Sequence, residues 1–115
     1  MELGAAEFDE LVAEALDQVP AELAALMDNV VVLVEEKPPA DDPDLLGLYD
    51  GTPLTERDSA YTFREPDRIL IFREPLLDMC SGPEQLVDEV RITVVHEIAH
   101  HFGVDDARLH ALGYG

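Results

Sequence analysis

The run from Pro83 to Gly103, "PEQLVDEVRITVVHEIAHHFG", constrains this chain more than any other stretch. Leu86, Val87, Val90, Val94, Val95, Ile98, Ala99 and Phe102 recur at helical spacing and form one broad apolar face. Ser81 or Gly82 can cap its start, Pro83 suits a first helical turn, and Gly103 is a natural stop. A helix of that length is about 30 Å long. In a chain of 115 residues, the rest must be arranged to cover its apolar side.

The remaining sequence offers what such a cover needs. Residues 5–18, "AAEFDELVAEALDQ", have helical periodicity, and Pro20 opens a second short helical run, "PAELAALMD". "NVVVLVEE" (29–36) is β-branched and nearly continuous, the pattern of a strand buried on both faces. Residues 37–59 are rich in Pro, Asp and Gly and read as loop around a short extended piece, "LLGLY". "AYTF" (60–63) and "RILIF" (68–72) read as two further strands, with a turn at Pro66 between them, and "DMCSGP" (78–83) as a break. Helices, then strands, then a long helix predict a single α+β domain over residues 1–115. Its small mixed sheet of about three to four strands would pack on the long helix and the N-terminal helices.

Charge and cysteine usage narrow the function classes. The chain has 26 acidic against 7 basic residues, a formal net charge of -19, which repels phosphate backbones and argues against nucleic-acid binding. With so few bases, each Lys and Arg is expected to have a specific partner. Neither a signal peptide nor a membrane-spanning run is visible, so the expectation is a soluble, cytoplasmic protein without membrane association. Cys80 stands alone, which excludes an internal disulfide and a Cys-based zinc cluster, and reads as a small buried apolar residue.

Against that background, three of the four histidines fall inside the long helix. His96 and His100 are four apart, hence one turn apart on one face, a register in which two imidazoles can bind one divalent metal. Glu97 is rotated by about 100° and flanks the pair, where a carboxylate can take a proton from metal-bound water. H-E-x-x-H on a helix is the zinc-metalloprotease signature. Extended to H-E-x-x-H-x-x-G-x-x-D by Gly103 and Asp106, it is a pattern that shuffling this composition would seldom produce.

Gly103 has a mechanical part in it. In an unbroken helix His96 and Asp106 would lie about 15 Å apart, too far to share an ion. A left-handed glycine lets the chain turn back, so that Asp106 can supply a third ligand and leave a position for water. Asp105 is its rival, and either aspartate can instead cap a short last helix. His101 is expected at the cleft edge, and His110 as a neighbour of the site or a surface residue. Tyr49, Tyr61 and Tyr114 are candidates to stabilise an oxyanion.

The extended motif resembles the metzincin-type signature of the zincin metallopeptidases, with aspartate in place of the usual third histidine. Together with "HEIAHHFG", "LGLYDGTPLTER" and the chain length, it makes the sequence similar, over roughly residues 30–106, to the small bacterial family of minimal zincin-like metallopeptidases. The resemblance implies a compact zincin-like fold, zinc (or another divalent metal) on His96, His100 and Asp106, and Glu97 as general base. It also implies a peptide or protein substrate. The chain departs from the metzincin pattern in one respect: Met1, Met27 and Met79 all precede the motif, so no methionine turn can follow it. No glutamate follows Glu97 either, which removes the gluzincin plan of a downstream glutamate ligand. A non-catalytic, metal-stabilised peptide-binding module on the same scaffold therefore stands as the alternative function.

Overall fold

A computed structural model describes residues 1–51 and 66–114. Helix α1 (Ala5–Asp17) leads into a short α2 (Ala21–Ala24), a 3-10 turn over Ala25–Met27 and strand β1 (Val30–Glu35). Strands β2 (Gly47–Asp50) and β3 (Asp67–Phe72) follow, then α3 (Arg73–Met79), α4 (Pro83–Phe102) and a last short helix, α5 (Asp106–Ala111). "AYTF" (60–63) and Tyr61 lie outside the described residues.

The described strands form a mixed sheet in the order β1-β3-β2. β1 runs parallel to β3 with Val32 opposite Ile69, and β2 runs antiparallel to β3 with Tyr49 opposite Ile69. Because side chains alternate across a strand, Val30, Val32 and Val34, Asp67, Ile69 and Ile71, and Gly47 and Tyr49 share the face turned toward the helices. Ile69 and Ile71 meet Phe8, Val12 and Ala15 of α1 and Leu86, Val90, Val94 and Ile98 of α4 in one core. Leu23 and Leu76 belong to the same core. This is an α+β domain with a small mixed sheet on a long helix, as the element order implies.

Two local readings need correction, and one helix has no local signal. β1 is not buried on both faces: its residues alternate between half-buried and exposed, with Val31 39% and Leu33 41% exposed. A continuous apolar run suggests a doubly covered strand, but here the described helices cover only one face of the sheet. Residues 73–77 carry no periodicity long enough to announce a helix, yet Arg73–Met79 forms α3, with Pro75 tolerated in its first turn and Leu76 and Leu77 buried. Phe102, counted on the apolar face of the long helix, is 40% exposed. The last turn of α4 has run past the core there, and the ring packs edge-on against Tyr49 and His101.

The ends of α4 follow the sequence. Gly82 is its N-cap with Pro83 directly inside, and Ser81 hydrogen-bonds the Gln85 side chain instead of capping. Gly103 ends it at φ 67°, ψ 33° in the left-handed region, with its N–H donating to the Ala99 carbonyl. Cys80 is buried, as a lone cysteine should be, and burial pushes its thiol above the ordinary value.

Candidate metal and catalytic site

α4 brings the candidate residues to one end of the sheet. Val94, Val95, Ile98 and Ala99 anchor its inner face, which leaves His96 and His100 exposed one turn apart and Glu97 half-buried between the two faces. Burial pushes the Glu97 carboxyl above its ordinary 4.5, because a desolvated charge is costly. The Tyr49 backbone N–H and the nearby His100 and His96 pull the other way.

Strand β2 is what lies against this helix. A Cβ at Gly47 would stand 2.5 Å from Thr93 Cγ2 and 3.1 Å from the Leu70 carbonyl oxygen, so only glycine lets β2 come this close to α4. Phe72 N–H donates to the Leu46 carbonyl, which fixes the alternation along the β2–β3 ladder. Leu48 and Asp50 then direct their backbone groups at β3, while Gly47 and Tyr49 direct theirs away from it.

The turn at Gly103 separates the two aspartates by role. Asp105 is the N-cap of α5, its side chain accepting from Arg108 N–H at 2.8 Å. Asp106 instead joins His96, Ala107, Leu109, His110 and Tyr114 around an open concavity of about 770 Å³. The reversal thus carries residue 106 back to the face that holds His96, and α5 with Tyr114 supplies the opposite wall.

Among the described residues, no group of three or more His, Cys, Asp or Glu side chains stands close enough together to hold an ion. Two imidazoles and a carboxylate are nevertheless a donor set that suits zinc. The backbone also fits, since the left-handed Gly103 sets His96 and Asp106 on one concave surface. His96, His100 and Asp106 are the residues that would hold the metal.

A further cluster borders Glu97, and no local spacing announces it. Tyr49 stacks on His101 with ring centroids 3.8 Å apart and planes 9° from parallel. Its hydroxyl donates to Asp67 Oδ2 at 2.8 Å, and His101 Nε2 lies 4.0 Å from that same oxygen. Asp67 is buried at the start of β3. Its partners are 18 and 34 residues away in sequence, so only the assembled sheet brings them together.

Comparison with known proteins agrees with this fold. A family described as zincin-like metallopeptidase matches residues 27–115. A solved structure of a conserved hypothetical protein from Thermo thermophilus is similar in fold, with a TM-score of 0.54 and 24% sequence identity, covering 87% of this chain and 94% of that one. No curated protein matches. Since the family match spans well over half the chain, including both histidines, the glutamate and the turn, this protein belongs to the zincin-like metallopeptidases.

Proposed function

We propose that the protein is a zinc-dependent metallopeptidase that hydrolyses peptide bonds, with His96, His100 and Asp106 as metal ligands and Glu97 as general base. The observation that carries this reading is the placement of Glu97: half-buried, flanked by two exposed imidazoles, on the helix that β2 packs closely against. Zinc bound there would polarise a peptide carbonyl and lower the pKa of water toward about 7.

The chain's own residues have three tasks. His96 and His100 present lone pairs from a helix whose other side is locked in the core, so their separation is fixed by the helix itself. Glu97, which desolvation makes a better proton acceptor than an exposed glutamate, takes a proton from the attacking water and delivers it to the leaving amine. β2 offers an extended backbone beside that base, to which a peptide can align through main-chain hydrogen bonds. The wall formed by Leu109, His110 and Tyr114 can receive a neighbouring side chain.

The test pairs metal content with turnover. Wild type and Glu97→Gln should bind zinc equally by elemental analysis and chelator competition. On a broad peptide panel, Glu97→Gln should lose about a hundredfold or more in kcat, and chelation should abolish wild-type turnover. Zinc binding with wild type and variant equally inert would sink the enzymatic reading and leave the metal-stabilised peptide-binding module.

A further inference from the structure

Of the three candidate metal ligands, Asp106 alone is not carried by α4, and the helix that carries it has little apolar hold on the domain. α5 has six residues, of which only Leu109 is buried. A helix this short is not stable through its own hydrogen bonds. Asp105 caps it, and the Val104 N–H donates to the Ala99 carbonyl at 2.9 Å, which fixes where the helix begins. One apolar anchor beyond that point still leaves the helix free to swing, and Asp106 would swing with it.

A polar tie on the far side of α5 removes that freedom. Arg108 is two residues past Asp106, about 200° around the helix, so the two side chains leave on opposite faces. Asp106 and His110, one turn apart, border the concavity with His96, and Arg108 does not. Instead, Arg108 Nε donates to Glu22 Oε2 at 2.6 Å, and Arg108 Nη2 donates to Glu22 Oε1. Two parallel bonds between planar groups fix direction as well as distance. Glu22 lies on α2 next to Leu23, which is buried in the core, so the tie runs to an anchored part of the domain. Beyond α5, the Arg91 guanidinium lies over the Tyr114 ring, 5.9 Å from its centroid, and holds the chain that leaves the helix.

We propose that Arg108 and Glu22 are the positioning residues for the third metal ligand: their paired side chains hold α5 from behind, so that Asp106 faces His96 across the concavity. The proposal rests on the reading of Asp106 as that ligand. An exposed pair adds little to global stability. A short helix with one buried residue has little else to set its direction, so here the same pair governs where a ligand stands.

Zinc affinity, read by chelator competition, tests the consequence. Arg108→Gln and Glu22→Gln, both at exposed positions, should each weaken zinc binding by about threefold to tenfold. Exchanging the partners, Glu22→Arg with Arg108→Glu, should recover most of that loss. Charge alone predicts otherwise: loss of a cation near the site should tighten zinc, and loss of an anion should loosen it. Asp106→Asn should weaken zinc further than either variant. Adding Arg108→Gln to it should then cost nothing more, because the pair acts through that carboxylate. In metal-free protein, the Leu109 and Leu112 N–H groups donate to the Asp105 and Arg108 carbonyls. Their hydrogen exchange should speed by a similar factor in Arg108→Gln, while Val94, buried in α4, is unchanged.

Zinc affinities that move in opposite directions in Arg108→Gln and Glu22→Gln would overturn the proposal, since charge alone would then be at work. So would an Arg108→Gln loss that adds in full to that of Asp106→Asn, or exchange in α5 that ignores the pair. Should Asp106→Asn bind zinc as wild type does while exchange in α5 responds as expected, the tie on the helix stands and the assignment of Asp106 as ligand is what falls.

Discussion

At the scale of single residues, Glu97 is the side chain whose charge costs the fold most visibly. Burial raises its pKa above 4.5, and this outweighs the pull of the Tyr49 N–H, His100 and His96 in the other direction. Below the ordinary value, the carboxyl is protonated in both folded and unfolded chains and carries no penalty. As pH climbs through the raised folded value, the unfolded chain has already released its proton, and the folded one must accept a charge it resists. Stability is therefore lost over that window and stays lost above it. Glu97→Gln has no charge to accept. In metal-free protein its urea midpoint should match wild type near about pH 4, exceed it as pH rises through the raised folded value, and keep that margin above it. A gap that is constant with pH, or that favours wild type at the alkaline end, would show that the N–H and the imidazoles govern this carboxyl after all.

Between elements, the contact that sets the site is β2 on α4, and Gly47 is its narrowest point. Gly47→Ala places a methyl 2.5 Å from Thr93 Cγ2 and 3.1 Å from a β3 carbonyl, so either the strand or the helix must give. Overpacking of this kind costs about 1–3 kcal/mol, readable as a lower denaturation midpoint with an unchanged slope. Thr93→Ser removes Cγ2 and keeps a hydroxyl for the Glu89 carbonyl, which Thr93 reaches at 2.7 Å. Gly47→Ala should cost less in that background, and the difference is the coupling between strand and helix. Equal costs in both backgrounds would place the strain on the β3 carbonyl instead.

This contact also shows where sequence reading succeeds and where it stops. α4 is legible from end to end because its apolar spacing, Pro83 and Gly103 are local signals, and the two imidazoles follow from the same periodicity. "LLGLY" is legible as an extended piece, but nothing local tells that Gly47 faces Thr93, 46 residues on. β1 misleads because hydrophobicity records a strand's composition and not which of its faces a helix will cover. The Tyr49, Asp67 and His101 cluster is invisible for the same reason: register across a sheet is a property of the assembled strands.

Across the whole molecule, the scarce bases act as ties between elements. Every Lys and Arg among the described residues lies beside an acid: Lys37 by Glu74, Arg68 by Asp50, Arg73 by Glu36, Arg91 by Asp88 and Arg108 by Glu22. Arg108 fastens α5 to α2, and its guanidinium holds the Glu22 carboxyl below the ordinary value. These pairs are mostly exposed, and exposed pairs are individually weak and screened by salt. Acids far outnumber these ties, with 26 against 7 bases in the chain. Two salt effects thus oppose each other, because screening loosens the ties and also relieves the repulsion of a net charge of -19. The ties act over short distances that salt screens poorly, whereas the repulsion is summed over the whole surface. Repulsion should therefore dominate as the Debye length contracts from about 30 Å at 0.01 M to about 8 Å at 0.15 M. The urea midpoint should rise across that range, equally in NaCl and KCl, since the effect follows ionic strength and not the identity of the salt. Arg108→Gln should steepen the rise, because it removes a tie and adds one uncompensated acid. A midpoint that falls with added salt would mean that the five pairs, and not the acidic excess, set how this fold responds to its solvent.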